Sequence, residues 1–600
     1  MPERFKPPYA FVRSHVRLMI RALARSDQRR TLLWICAGLV VVISANTMGQ
    51  IRLNAWNRPF YDAVAQKELK EFLQQLLVFG LIASSLLVLG VIQTWLQEFL
   101  KVSLREALTR DLIHEWLKPK RVYRLPLAGE IGTNPDQRIH EDIRHMTELC
   151  ADLGVGLLQA SLLLVSFVGV LWVLSGEMAR SDSTSLVAVP GYMVWCALAY
   201  ALIGSWLSWY VGRPLIDLNV ERSARDADLR FALVRVSESA EAISLFQGEA
   251  DERRMLNIEL DRVIAVMRQL VNGLARLTWI TSGYGWLAIV VPFIVAAPGY
   301  FTGHLSFGTL MMTVAAFQQV QQALRWFVDN FPKLADWRAA LLRVMLLREA
   351  LTVLETLGAD VEHIAFSDGP DAKLVFDKLG VSLVNGRAKL SEPHIEIAAG
   401  ERVLILGEAS AGKTTLFRAL AGLWPWGSGS ILLPPGQGIM FMPQRPYLPP
   451  GSLRSVLAYP APPEGFENAA FIAALDRTGL GHLKPDLDEE ARWDRSLSLE
   501  EQQRLAFARL TLHRPRWVIF DEAISALDDD RRRIILSIFE HELAGATVIS
   551  TSRRHSADQF YGRTLKLVRE RGEALNLRLQ PQRSGASPHK LYKAPMPSSP

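Results

Sequence analysis

The chain has 600 residues, 49% of them hydrophobic and 21% charged, with a mean hydropathy of +0.12. That length exceeds one compact domain, and that apolarity excludes both a disordered chain and an ordinary soluble enzyme. Lys and Arg outnumber Asp and Glu by 67 to 61, too thin an excess to argue for nucleic acid, and the 3 cysteines (Cys36, Cys150, Cys196) offer neither a disulfide framework nor a cysteine-rich metal site.

Residues 1–30 form a basic segment carrying Arg4, Lys6, Arg13, Arg17, Arg21, Arg25, Arg29 and Arg30. It lacks the short apolar run and small-residue cleavage site of a secretory signal. Phe11–Ala24 sets arginines against apolar residues at helical spacing. That predicts an amphipathic helix on the inner membrane surface, with a flexible basic leader as the alternative. Stretches free of Asp, Glu, Lys and Arg follow at Thr31–Ile51, Phe72–Gln97, Leu153–Gly176, Thr184–Gly212, Leu277–Phe301 and Leu305–Leu324. Each reaches the roughly 20 residues needed to cross hydrocarbon. One alone would fit a buried core helix. The succession predicts six transmembrane helices within residues 31–345.

Charge orients them. The N-terminal segment and the loops Glu98–Ala151 and Arg213–Arg276 are basic, whereas Ser175–Ser183 carries only Arg180 and Thr302–His304 no basic charge but its histidine. Arg52–Glu71 is less clean, with Arg52, Arg58, Lys67 and Lys70. The positive-inside rule predicts cytoplasmic N- and C-termini. Leu104–Leu117 and Arg222–Leu270 keep apolar residues at helical spacing between charges, so the membrane helices are expected to continue into the cytoplasm. In the last span Gln318, Gln319 and Gln322 share one helix face. Such a face lines either a solute path or an interhelical hydrogen-bonded contact.

A linker is expected over residues 346–370, a second domain over 371–580, and a disordered Pro/Ser-rich tail over 581–600. Arg402–Gly407 reads as a buried parallel strand. It runs into Gly407-Glu408-Ala409-Ser410-Ala411-Gly412-Lys413-Thr414-Thr415 and a helical Leu416–Leu423. This is G-x-x-x-x-G-K-[ST] in strand–loop–helix context. The glycines let backbone N–H groups converge on phosphates, Lys413 reaches the β- and γ-phosphates, and the Thr414 hydroxyl can ligate Mg²⁺. A second strand, Trp517–Phe520, ends in Asp521-Glu522. With the phosphate loop upstream, Asp521 is expected to hold Mg²⁺ and Glu522 to polarise the attacking water. By itself such a pair is also an ordinary polar strand end.

Phe441-Met-Pro-Gln444, Leu497-Ser498-Leu-Glu-Glu-Gln-Gln-Arg504, Asp521-Glu522-Ala-Ile-Ser525-Ala-Leu-Asp528 and Val548-Ile-Ser550 occur in that order. They resemble the Q-loop, signature, Walker B with D-loop, and switch of ATP-binding cassette proteins. Asn54-Ala-Trp-Asn-Arg-Pro-Phe-Tyr-Asp62, Asn134-Pro-Asp-Gln-Arg-Ile139, Glu241–Glu249, Trp326–Phe331 and Trp337–Ala339 resemble SbmA/BacA-type membrane domains, in the branch with a fused cassette. Peroxisomal fatty-acyl half-transporters share a more distant version. The fold implied is an exporter-like α-helical membrane domain plus an α/β P-loop nucleotide-binding domain.

The resemblance implies a homodimer in a bacterial inner membrane, with each ATP between the phosphate loop of one subunit and the signature of the other. Mg²⁺ would sit on Thr414, Gln444 and Asp521. The stretches Asn134–Asp142 and Glu241–Glu249 would carry motion to the membrane domain. The implied activity is ATP-driven transport, in the direction of uptake, of amphipathic or hydrophilic solutes such as peptides or cobalamin-like compounds. Alternatives are an ion-gradient transporter with a slow regulatory cassette and, lower, an acyl-CoA transporter.

Two positions depart from the family pattern. Glu500 stands where the signature has its second glycine, and a carboxylate beside a triphosphate is repulsive. Arg553 stands where the switch has histidine; it still offers a donor to the γ-phosphate but stays protonated. His555, two residues on, is the alternative histidine.

Overall fold

The computed structural model describes residues 9–132, 134–179, 191–301, 305–354, 357–358, 361–369, 371–434, 438–524, 528–552 and 560–574. The chain divides into two compact units, Met1–Glu115 with Asn134–Arg348, and Trp116–Thr133 with Glu349–Pro600.

The first unit is helical. Its helices are α1 (Tyr9–Arg25), α2 (Arg29–Gln66) and α3 (Leu69–Trp116); α4 (Arg121–Arg124) falls in the second unit. Then come α5 (Pro135–Gln137), α6 (Ile143–Ala179), α7 (Tyr192–Glu238), α8 (Ala240–Leu245), α9 (Glu249–Phe301), α10 (Phe307–Asp329) and α11 (Phe331–Val353). Among the described residues, 5 helices are long and apolar enough to cross a membrane: α2, α3, α6 with its lead-in from Pro135, α7 and α9. The expected sixth span is α10, whose glutamines lower its hydropathy. It packs among α2, α6, α7 and α9, burying Leu310, Val314, Phe317 and Val320. The expected loop Thr302–His304, and residues 180–190 of the loop and span expected between Ser175 and Gly212, lie outside the described residues.

The inner loops are helical, as their spacing predicts. Helices α3, α7 and α9 have 48, 47 and 53 residues. At 1.5 Å per residue each runs about 70–80 Å, more than twice the ~30 Å of hydrocarbon.

The expected outer loop Arg52–Glu71 is mostly helix as well. α2 continues through Pro59 to Gln66 and stops where Lys67 adopts φ 59°. Packing holds this extension. Trp56 stacks on Phe60 at 4.5 Å and meets Phe79 at 5.0 Å. The Asp62 carboxylate accepts from the Gly308 N–H at 2.8 Å and from the Ser306 hydroxyl at 3.0 Å, satisfying free donors at the start of α10. The helices meet so closely there that a Cβ on Gly308 would lie 2.0 Å from the Arg58 carbonyl oxygen.

Beyond the spans, α11 is tied down by charge. Arg343 donates twice to one Asp142 oxygen, at 3.0 and 2.8 Å, and once to the other at 3.0 Å. Arg348 donates to Asp111 at 2.9 Å.

The second unit is α/β. Its strands are β1 (Ala365–Asp368), β2 (Lys373–Leu383), β3 (Asn385–Leu390), β4 (His394–Ala398), β5 (Arg402–Leu406), β6 (Gly427–Leu433), β7 (Ile439–Met442), the two-residue β8 (Gly451–Ser452) and β9 (Glu490–Ala491), β10 (Trp517–Asp521), β11 (Thr547–Ser552) and β12 (Arg563–Ala574). The main sheet runs β1-β6-β2-β3-β12-β5-β11-β10-β7, with β4 on β2. From β12 to β7 the neighbours are parallel, and within this stretch β10 and β11 are buried almost throughout. α12 (Lys413–Leu420), α13 (Leu453–Ala458), α14 (Asn468–Arg477), α15 (Trp493–Ser496), α16 (Leu499–His513) and α17 (Asp529–Ile538) complete the unit. Trp116–Thr133 belongs to it through contacts on α12. The Arg418 guanidinium lies over the Tyr123 ring at 5.8 Å, and a Cβ on Gly422 would come within 2.6 Å of the Lys120 ammonium.

The α2–α10 junction yields a test. Gly308→Ala should destabilise the folded chain by about 1–3 kcal/mol through overpacking against backbone, and Asp62→Ala by about 0.5–2 kcal/mol through loss of the cap. Thermal melts of purified protein in one detergent measure both. An unchanged midpoint for Gly308→Ala would refute the close approach.

Candidate functional site

Three parallel strands build the site. β5 pairs with β11 and β11 with β10, with Leu406 opposite Ser552 and Asp521 opposite Thr551. The ends of β5 and β10 therefore open at the same edge of the sheet, where nucleotide sites form in such folds. The loop Gly407–Gly412 leaves β5, and Lys413 begins α12, so the free N–H groups of that helix point into the cleft. Gly412 has φ 96°, and a Cβ there would lie 2.9 Å from both Ala388 Cβ and a Leu383 methyl. Only glycine fits.

The Lys413 side chain is buried, and its ammonium donates to the carbonyls of Gly407 at 2.8 Å and Glu408 at 2.9 Å. Glu522 Oε1 stands 3.5 Å from the same ammonium. Glu522 has φ 52°, a backbone conformation non-glycine residues rarely adopt. Asp521, only 4% exposed, accepts a hydrogen bond from the Thr551 hydroxyl at 3.0 Å.

A polar cleft of about 360 Å³ lies over this edge, and Ser410, Lys413, Thr414, Gln444 and Glu522 are among its walls. Glu408, Ala409, Ser410, Thr414 and Gln444 are exposed, and the Gln503 side chain holds the Gln444 carbonyl at 3.1 Å. The arrangement fits a nucleotide triphosphate: a curled loop of donors, a helix N-terminus, one buried ammonium, and carboxylates at the neighbouring strand. Among the described residues no cluster of three His, Cys, Asp or Glu could hold a metal by itself.

Ser498 and Glu500 are not among the walls of the cleft; they open α16. Ser498 caps that helix in a reciprocal capping box with Glu501, and its hydrogen bonds hold the Glu501 carboxyl below its ordinary value. Glu500 is paired within the chain, 2.8 Å from Arg531 Nε and 3.5 Å from Arg504 Nε. The repulsion expected of a bare carboxylate is thus offset by two guanidinium groups. Arg553 and His555 lie outside the described residues, as do residues 525–527.

Sequence reasoning did not find Arg531, nor Arg569. Arg569 also lines the cleft and donates to the Asn385 carbonyl at 2.7 Å, beside Val384, whose side chain is 67% exposed. No local motif marks either arginine's contact with the site, because Glu500 and Asn385 lie on other elements.

A helical membrane unit joined in one chain to this cassette sheet defines an ATP-binding-cassette half-transporter. The chain belongs to the ABC transporters: residues 19–301 match the ABC transporter transmembrane region 2 and residues 390–525 the ABC transporter domain. It binds ATP, and its hydrolysis is coupled to transport. An uncharacterised ABC transporter ATP-binding protein of Haemophilus influenzae is 28% identical over 537 residues, 89% of each chain. The inner membrane ABC transporter ATP-binding protein YddA of Escherichia coli is 28% identical over 530 residues, 86% of this chain and 91% of that one. The human lysosomal cobalamin transporter ABCD4 is 25% identical over 549 residues, covering 85% and 87%. In fold the chain resembles a bacterial Atm1-family ABC exporter solved with ATP bound, with TM-score 0.65, 19% identity, and 88% and 91% coverage.

The Glu500–Arg531 pair makes a prediction. Arg531→Ala should slow steady-state phosphate release about five-fold, equivalent to about 1 kcal/mol, by leaving Glu500 under-compensated. In a Glu500→Gly background the same change should cost distinctly less. Equal losses in both backgrounds would show that the pair does not matter to turnover.

Proposed function

We propose that two copies of this chain form a homodimer that takes hydrophilic or amphipathic solutes, of the peptide or cobalamin-like class, across a bacterial inner membrane, with both termini in the cytoplasm. The observation that carries the solute class is the polar face of α10. Leu310, Val314, Phe317 and Val320 are buried, while Gln318, Gln322, Arg325 and Asp329, spaced four, three and four apart, are exposed. Arg325 and Asp329 pair at 3.1 Å. Alongside, Ser205, Ser208, Thr281, Tyr284 and Gln321 surround a small polar recess between α7, α9 and α10. Polar groups at membrane depth face protein or water, not lipid. A strip of amide, hydroxyl and charge suits a hydrogen-bonding solute better than an acyl chain.

The homodimer is supported by the end of α8 and the turn beyond it. Leu245 and Phe246 are 77% and 86% exposed. Adjacent large apolar side chains left bare at the turn between two long helices suit a second subunit. Inner-membrane placement is supported by YddA and the charge pattern, and cobalamin as one candidate solute by the name of ABCD4. In the cassette, Lys413 and the Gly407–Thr415 loop would hold the phosphates, Thr414, Gln444 and Asp521 the Mg²⁺, and Glu522 the attacking water. Signature residues Ser498 and Glu500, and switch residue Arg553, would face the γ-phosphate. Compensation of Glu500 by Arg531 favours a working ATPase over a slow regulatory cassette.

Sealed vesicles containing the purified protein test this reading. ATP supplied on the cassette side should drive accumulation of labelled cobalamin or a short peptide, and Glu522→Gln should abolish it while ATP binding persists. Accumulation driven by a proton gradient alone would overturn the ATP-driven reading. Cysteine at 318 or 322, in a chain with Cys36, Cys150 and Cys196 replaced, should react with a water-soluble thiol reagent in at least one nucleotide condition. Protection in all of them would remove α10 from the solute path.

A further inference from the structure

The membrane unit holds a second cavity, of about 630 Å³, bordered by α1, α2, α3 and α6. This is within the roughly 300–1,000 Å³ of small-molecule sites. Its walls are almost wholly hydrocarbon, with Leu23, Leu39, Ile43, Leu104, Val155 and Leu158 among them. Among the described residues the one charged wall residue is Arg29, at the start of α2. Cys36 and Cys150 line it too, both as free thiols.

Its dimensions suit a chain rather than a compact solute. From Arg29 to Ile43 the wall follows α2 for about 21 Å at 1.5 Å per residue. One leaflet's share of the hydrocarbon is about 15 Å. The outward rim is bare, with Leu33 69% and Val40 47% exposed, so in a membrane the cavity opens sideways to lipid.

Charge supplies the other end. Arg17, Arg21 and Arg25 recur every fourth residue along α1 and are exposed; Arg29, also exposed, follows the turn after α1 and lines the cavity, whose α1 wall is Ile20, Leu23 and Ala24. Among the described residues none of the four has a carboxylate partner. Unpaired guanidinium groups at a membrane surface attract anionic headgroups, and arginine binds phosphate with particular geometric fit.

We propose that this cavity binds an anionic phospholipid of the surrounding bilayer, one acyl chain lying along α2 and the phosphate held by Arg29 and Arg25. This inference is independent of the transported solute. The apolar lining and basic mouth also separate it from the polar face of α10.

The full-length protein is reconstituted with trace phosphatidylglycerol or phosphatidylcholine carrying a photoactivatable group in one acyl chain, and crosslinked peptides are mapped. Phosphatidylglycerol should label Arg29–Ile43 and Cys150–Leu158 several-fold more than phosphatidylcholine. Arg25→Ala and Arg29→Ala together should bring the two lipids to the same yield. Gly154→Leu should remove labelling by both: Gly154 lines the cavity, and nothing lies within 4 Å of a Cβ built there. Retained ATP hydrolysis shows that each variant is folded. A readout free of cavity variants uses Cys196→Ser protein, in which Cys150 should react with a membrane-permeant maleimide several-fold more slowly in phosphatidylglycerol-containing bilayers than in pure phosphatidylcholine. Equal yields from the two lipids in the natural protein, labelling that survives Gly154→Leu, or equal Cys150 rates in the two bilayers would each overturn the proposal.

Discussion

In hydrocarbon, a backbone N–H or C=O without a partner costs several kcal/mol, and that constraint governs the first unit. Each crossing must be a helix, because only a helix satisfies its own backbone. A helix already formed extends cheaply, since each added residue gains a bond without a new nucleus. This is why α3, α7 and α9 do not stop at the membrane boundary but run on with charged residues between their apolar ones. Outside hydrocarbon, side chains must do the joining. Arg343 on Asp142 and Arg348 on Asp111 do so on one side, and Asp62 at the start of α10 on the other.

The stretch Asn134–Asp142, expected to carry motion, belongs to the first unit and is anchored there by Asp142. The segment that folds with the cassette is Trp116–Thr133, whose Tyr123 and Lys120 lie against Arg418 and Gly422 of the α12 region. α12 is also the helix that starts at Lys413. The eight residues of α12 thus lie between the phosphate loop at one end and the contacts of Trp116–Thr133 at the other.

Local patterns were legible in the sequence, whereas relations across the fold were not. The phosphate loop could be read because its strand, glycines, lysine and helix are consecutive, and each is demanded by the same backbone curl. The inner helical extensions could be read from spacing. The helical run of α2 to Gln66 could not, because it contains Pro59, Arg52 and Arg58, with Lys67 and Lys70 just beyond, and such a stretch resembles a loop. It is held by Trp56, Phe60 and Phe79 and by a carboxylate cap on a helix far along the chain. Likewise α10 is too polar for a lipid-facing span, and its place follows from four neighbouring helices that bury its apolar side. The contacts of Arg531 with Glu500 and of Arg569 with Asn385 join different elements, so no spacing rule reaches them.

Glu500 shows why that distinction matters for function. Taken alone, a carboxylate in a glycine's place would oppose a phosphate at full charge. With Arg531 Nε at 2.8 Å and Arg504 Nε at 3.5 Å, the field that α16 presents is that of a charge cluster, in which the carboxylate is balanced by its neighbours. Such a cluster weakens with distance faster than a lone charge, and water and salt screen it further. Glu500 and Arg531 are 36% and 41% exposed, and pairs this accessible contribute about 0–1 kcal/mol to stability. The pair is therefore better understood as shaping local charge than as holding α16 to α17. A substitution that looks like the loss of a glycine is, in the folded chain, one half of an ion pair.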